Sequence, residues 1–258
     1  MWSPRFSPNY APVAPIEIYY VLDRLNLLGN YHFLIAHDVL EHLSYYERFY
    51  ARRRGKRDFV ILDNGLIELG APLSAKDLAR AAKAVNASLL ILPDKLLDAK
   101  ATVELSLKAA EELSDIDLGH CRLMAVAQGR SVEEALECAS TIYMKVPRVA
   151  AFGVPRAMTK QIGTRCVLAR DLYRLWGLPI HLLGFSDNLV DDMLSVRQEG
   201  VMGIDSAMPI WLGNSGRLLP NNPAENFVAG RRPENYWEMS DITNEAAWNI
   251  VTIRKWLM

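Results

Sequence analysis

Cysteine is scarce in this chain: Cys121, Cys138 and Cys166 are the only three among 258 residues, with no CxC or CxxC spacing and no even count. Such usage argues against a disulfide framework and a zinc knuckle and fits a reducing cytoplasm, the location expected here. Excess charge is missing too. The net value is −1, so no global positive field announces nucleic acid, and such a partner would have to be gripped by a local patch. No apolar run approaches the ~18 residues of a membrane span. The proline-rich start, MWSPRFSPNYAPVAP, lacks the basic-then-apolar layout of a signal peptide. No GxGxxG or Walker-type GxxxxGK loop occurs, which removes the commonest phosphate cradles. The five histidines (His32, His37, His42, His120, His181) show no metal-ligand spacing, apart from His37 and His42 across a strand-to-helix junction. His37 is read as lining the active rim rather than as a ligand. No metal and no cofactor is expected.

What the chain does have is a series of short apolar stretches running into polar or glycine-bearing ends. Three end on aspartate: FVILD at Asp63, LLILPD at Asp94 and VMGID at Asp205, with LMAVAQG at Gln128 between them. A strand that is apolar throughout and stops on a carboxylate belongs to a parallel sheet covered on both faces. Its polar end then faces the side where α/β folds carry their chemistry. Strands are predicted over Ile16–Val21, His32–His37, Phe59–Asp63, Leu89–Pro93, Arg122–Ala127, Arg148–Gly153, His181–Gly184 and Val201–Asp205. Helices fit between most of them. Ser74/Asp77 and Ser131/Glu134 read as capping boxes, Val103, Leu107 and Ala110 recur at helical spacing, and Asp187–Glu199 is amphipathic and stops at Gly200.

Strands alternating with helices in this way predict an α/β fold, a (β/α)₈ barrel over residues 1–208. An open doubly wound sheet is the alternative. From Pro209 to Met239 the chain is rich in Asn, Pro and Gly, with Arg217, Arg231 and Arg232 among them, and a last helix, Asn244–Leu257, carries Trp248 and Trp256. Residues 209–258 are expected to form an appendage docked on the barrel rather than a second domain.

Each strand end has a plain reading beside the chemical one. Asp63, in Leu62-Asp63-Asn64-Gly65, can pass a proton or attack an electrophilic carbon, or simply make a turn. Asp94 can read a ligand or cap the next helix, with Asp98 competing for the cap. Gln128 offers donor and acceptor as base recognition needs, and Gly129 lets backbone approach a flat ligand. Together they can equally be a polar loop. Gly153-Val154 and Leu183-Gly184 can form floor and walls for a planar ring or be tight turns. Asp205, after a wholly apolar strand and with no lysine or arginine beside it, is costly unless solvated or used. The run Arg52–Arg57 precedes a strand, so it lies on the barrel's N-terminal face and reads as a solvated basic loop. Arg130, Arg156, Lys160, Arg217, Arg231 and Arg232 are the better phosphate candidates.

Taken in order over about residues 15–215, these strand ends resemble the queuine/archaeosine tRNA-guanine transglycosylases, and most of all their short phage-type relatives, the 7-deazaguanine DNA transglycosylases. Asp63 in ILDNG is similar to the general acid/base aspartate of the family's Asp-Ser-Gly-Gly stretch, although Asn64 and Leu66 depart from it. Asp94 falls where a base-reading aspartate ends a strand. Gln128-Gly129 in AVAQG matches a guanine-reading Val-Gln-Gly, Gly153-Val154 a glycine loop whose backbone contacts the base, and Leu183-Gly184 a Met-Gly flanking the ring. Asp205 in MGIDSAMP resembles the Phe-Asp-Cys-Val-Leu-Pro stretch that supplies the nucleophile. The resemblance implies base exchange through a covalent aspartyl-sugar ester, with free guanine and a 7-deazaguanine as the exchanged bases. The family's CxCxxC…His zinc subdomain has no counterpart here, which places DNA ahead of tRNA as acceptor. A barrel lyase or aldolase and a non-catalytic base-binding barrel are the other readings. The first would want a Schiff-base lysine or a bound divalent cation, and the second has little use for Asp63 and Asp205 together.

Overall fold

Alternation along the strands sets the architecture. In the computed structural model, which describes residues 8–70, 73–186 and 188–258, eight strands form one all-parallel sheet. They are β1 (Asn9–Pro12), β2 (Tyr31–Ile35), β3 (Phe59–Asp63), β4 (Leu89–Ile91), β5 (Arg122–Val126), β6 (Val149–Pro155), β7 (Ile180–Leu183) and β8 (Val201–Ser206). The ladder runs β1-β8-β7-β6-β5-β4-β3-β2, and the sheet curls into a nearly closed (β/α)₈ barrel. Between strands lie α1 (Ile16–Arg24), α2 (Ala36–Glu41), α3 (Leu43–Arg53), α4 (Leu66–Leu69), α5 (Ala75–Ala84), α6 (Ala99–Ser114), α7 (Val132–Lys145), α8 (Ala157–Ile162), α9 (Cys166–Trp176) and α10 (Leu189–Val196). After β8 come α11 (Met208–Asn214) and α12 (Asn244–Leu257). No helix among the described residues is long and apolar enough to cross a membrane.

Both faces of each strand are buried, which is why the strands read as unbroken apolar runs. Phe33, Ile35, Ile61, Ile91, Met124 and Val126 meet inside the barrel, while Leu34, Leu62, Leu90, Leu123 and Ala125 pack outward under the helices. Each such side chain contributes about 1.5–3 kcal/mol of burial. The inward parity carries on to the strand ends, so Asp63 follows Ile61, and Asp205 follows Gly203, onto the inner face of the C-terminal mouth.

The first predicted strand is a correction. Ile16–Val21 is helical, and the barrel's first strand is the shorter Asn9–Pro12. The helical period wins because Ile16, Tyr19 and Leu22 fall on one buried face. Pro12, with no N–H to donate, sits on the strand that ends the ladder, where sheets tolerate proline. The Tyr19 hydroxyl stands within hydrogen-bonding distance of the Pro12 (2.8 Å) and Phe33 (2.9 Å) carbonyls, so its proton is shared across the β1–β2 seam. His37 likewise belongs to α2 rather than to a strand.

Ser74 and Ser131 cap α5 and α7 by accepting from the Asp77 and Glu134 N–H groups, and Asp98 rather than Asp94 caps α6. The amphipathic segment beginning at Asp187 is helical from Leu189 and capped by Asn188, while Asp187 itself lies outside the described residues.

Beyond α11 the chain folds back over the barrel. Buried Asn249 accepts from the Leu219 N–H (2.7 Å) and donates to the Pro209 (3.1 Å) and Arg217 (3.0 Å) carbonyls, tying α12 to the segment after α11. A 3₁₀ turn, Glu234–Glu238, crosses the mouth: the buried Tyr236 hydroxyl donates to the Val13 carbonyl, and Trp237 packs against the barrel's inner cluster. A domain boundary at 208/209 falls inside α11.

Candidate active site

At the C-terminal mouth one carboxylate is held by a chain of buried polar groups. Asp205 Oδ1 accepts from His181 Nε2 (3.0 Å) and from the Gly184 N–H (3.0 Å). The other ring nitrogen, Nδ1, lies 2.7 Å from the Tyr31 hydroxyl. Only one proton assignment satisfies every atom when the imidazole is neutral: Tyr31 donates to Nδ1, and Nε2–H donates to Asp205. Burial, and then the Asp205 carboxylate, push the Tyr31 phenol well above its ordinary range, which keeps it a donor. Oδ2 of Asp205 accepts no hydrogen bond among the described residues and is the oxygen left to act.

Local sequence builds this arrangement. A Cβ on Gly203 would lie 2.8 Å from the Tyr31 ring and 2.5 Å from the Asn9 carbonyl, so glycine makes the room in which that ring reaches His181. Gly184 has φ +73°, a left-handed turn that aims its N–H back at Asp205. Phe33 stacks on the His181 ring at 5.5 Å and fixes its plane.

A second carboxylate sits across the mouth in a different setting. Asp94 Oδ2 accepts from Gln128 Nε2 (2.6 Å), while Gln128 Oε1 accepts from the Leu97 N–H (2.9 Å). Burial raises the Asp94 pKa, and the Gln128 and Asn64 amides only partly offset it. Asn64 in turn donates to the Leu92 carbonyl (3.2 Å) and accepts from the Leu66 N–H (2.8 Å). Asp63 Oδ2 accepts from the Gly65 N–H (3.3 Å), so the turn chemistry of Asp-Asn-Gly and an inward, half-buried carboxylate coexist.

Other expected residues fare unevenly. Gln128 is buried with both ends of its amide engaged, so it holds Asp94 rather than presenting a free edge. Gly129 is needed by the helix: an added Cβ would stand 2.6 Å from the Ala135 nitrogen, which is by itself a reason for glycine there. Gly153 and Leu183 face inward and touch, with Leu183 Cδ1 2.9 Å from a Cβ on Gly153. The Val154 side chain points outward into the helical shell. The Gly153 carbonyl accepts from the Ala127 N–H (2.9 Å) and the Val154 carbonyl from Arg165 Nη1 (3.4 Å), so neither is a free reader.

Among the cations, Arg130, Arg156 and Lys160 are exposed after β5 and β6, on the mouth side. Arg217 is exposed and turns part of its guanidinium into the tail, donating to the Ala229 (2.8 Å) and Val228 (2.7 Å) carbonyls. Arg231 is exposed, and the Arg232 guanidinium lies over the Tyr236 (5.7 Å) and Trp237 (5.5 Å) rings.

Sequence reading did not single out Tyr31, Asn64, Trp237 or the role of His181. Trp237 meets His37 edge-on at 6.3 Å, and His37 Nδ1 is buried with no partner among the described residues. Behind the mouth, wholly buried Arg165 pairs with Asp192 and donates to the Leu183 carbonyl (3.3 Å), bracing the loops after β6 and β7. No group of three His, Cys, Asp or Glu side chains among the described residues is arranged to hold a metal.

No protein-family model matches the chain, and no curated protein is similar enough to match it.

Proposed function

We propose that the chain is a base-exchange transglycosylase that replaces guanine in a polynucleotide, DNA ahead of tRNA, with a 7-deazaguanine. The observation that carries this reading is Asp205: one oxygen fixed by His181 and Gly184, the other unengaged, on the inner face of the mouth. A carboxylate held this way is oriented for nucleophilic attack. Asp205 Oδ2 attacks C1′ of the nucleotide, and the C1′–N9 bond breaks with its electron pair leaving on the base. Asp63 gives the departing base a proton. The incoming base loses its N9 proton to Asp63, attacks C1′ and releases Asp205 as carboxylate. Both displacements pass through an oxocarbenium-like state that a nearby carboxylate stabilises, as in retaining glycosidases. Asp94, set by Gln128, meets the base edge. Drawing a base from duplex DNA costs a few kcal/mol, offset by phosphate contacts from Arg130, Arg156, Lys160 and Arg231. A cytoplasm, the host's if the chain is phage-encoded, is the setting this chemistry fits.

The test is incubation with radiolabelled guanine and separate DNA and tRNA acceptors. Label should enter DNA, and Asp205→Asn should lower exchange by about 10³-fold or more. A covalent protein–nucleic acid adduct that persists in Asp205→Ala would overturn the nucleophile assignment.

A further inference from the structure

A basic groove crosses the outer wall of the barrel, away from the mouth. It lies between α3 and α5, beside the segments that lead into β3 and β4, and encloses about 1090 Å³. Seven Lys and Arg line it against two carboxylates, Glu47 and Asp58, in a chain whose net charge is −1. Asp58 and buried Arg53 cancel, because Arg53 donates to it from Nε (2.6 Å) and Nη2 (2.8 Å), which leaves six cations against Glu47.

The cations on α5 are unspent. Lys76, Arg80 and Lys83 are exposed and make no ion pair or side-chain hydrogen bond among the described residues. Their i, i+4, i+7 spacing puts them in one stripe about 10 Å long, while Leu78, Ala81 and Ala82 bury the opposite face of the helix. A merely solvated helix face would interleave acids. The single acid of α5, Asp77, is instead bonded to Ser74 at its start (2.7 Å). Like charges at this spacing cost the helix about 0.2–0.5 kcal/mol per pair, a repulsion that an external anion would relieve.

Geometry narrows the anion. Along one strand of duplex DNA phosphates recur about every 3.4 Å of axis, so the stripe would face about three of them, one for each cation. Tyr50 is the one aromatic residue lining the groove, and it is buried with its hydroxyl 2.7 Å from His32 Nδ1. No ring is therefore offered for stacking bases, as single-strand binders use. We infer that this groove grips the phosphodiester backbone of duplex nucleic acid without reading its sequence. The inference does not depend on guanine exchange.

The probe is a duplex of A·T pairs only, which contains no guanine and cannot serve as an exchange substrate. Its affinity is measured by fluorescence anisotropy from 50 to 200 mM salt. In the Lys76→Gln/Arg80→Gln/Lys83→Gln variant the slope of log K against log salt should shrink by about 2 to 3, at about 0.9 per phosphate contact, and affinity at 50 mM should fall roughly tenfold or more. Lys100→Gln/Lys145→Gln/Lys255→Gln, which removes exposed cations elsewhere, should leave the slope near that of the parent. Parent-like binding by the groove variant, or an equal loss in the other triple, overturns the inference. Arg80→Glu alone, checked for folding by circular dichroism, should weaken binding in the same sense, and unchanged affinity there also counts against it.

Discussion

Removing one oxygen atom tests the buried relay at the mouth. Tyr31→Phe keeps the ring packed over Gly203 but leaves His181 Nδ1 a buried acceptor with no donor, at a cost of about 1–3 kcal/mol. Urea unfolding should show that loss, and guanine exchange should fall because the tautomer that donates to Asp205 is no longer selected. Unchanged stability and rate would show the hydrogen bond to be incidental. Asp94 gives a pH signature. Its folded-state pKa is raised, chiefly by burial, so between the unfolded and folded values the native protein holds the extra proton. Its contribution is therefore most favourable below the ordinary aspartate range and is lost as pH rises through the folded value. Asp94→Asn should remove that decline, so the stability of the variant relative to the parent grows with pH; a difference that stays flat would contradict the raised value. The three aspartates were legible in the sequence because each ends an apolar run. The relay was not, since His181 meets Asp205 across 24 residues and Tyr31 across 150.

Elements show the same division between local and distant information. Serine followed three residues later by an acid marked the starts of α5 and α7 correctly, because a cap is written within one turn. Asn9–Pro12 was illegible: four residues ending in proline carry no apolar period, and they become a strand only by pairing with β8. IEIYYV carried two periods at once, and tertiary burial chose the helical one. Arg165 is a further element-scale case. Nothing around it in sequence marks it as a wholly buried cation, yet it joins the loops after β6 and β7 through Asp192 and two carbonyls. Arg165→Met should destabilise by about 3–5 kcal/mol, because Asp192 would be left charged and unpaired in the interior. Adding Asp192→Leu should recover part of that loss in thermal melts, since the pair together is worth less than either partner stranded. A double variant no better than the single would assign the cost to lost packing instead.

At the scale of the molecule, the region after β8 is not an ornament on a finished barrel. Leu219, Tyr236, Ile250, Ile253, Trp256 and Leu257 belong to the same buried cluster as the outward faces of the strands. The Tyr236 hydroxyl is anchored on the Val13 carbonyl just after β1, and Arg254 of α12 donates to the Leu27 carbonyl on the path into β2. Both ties reach the β1–β2 side, where the ladder is open, so the last fifth of the chain stabilises the least bonded part of the barrel. Tail and barrel should consequently unfold together. Scanning calorimetry should give one transition, with calorimetric and van't Hoff enthalpies in agreement, and deletion of residues 215–258 should strip the seam of its cover and leave a barrel that does not fold cooperatively. A separate low-temperature transition, or a truncated chain with an intact two-state melt, would show instead that β1 and β2 hold the seam without help.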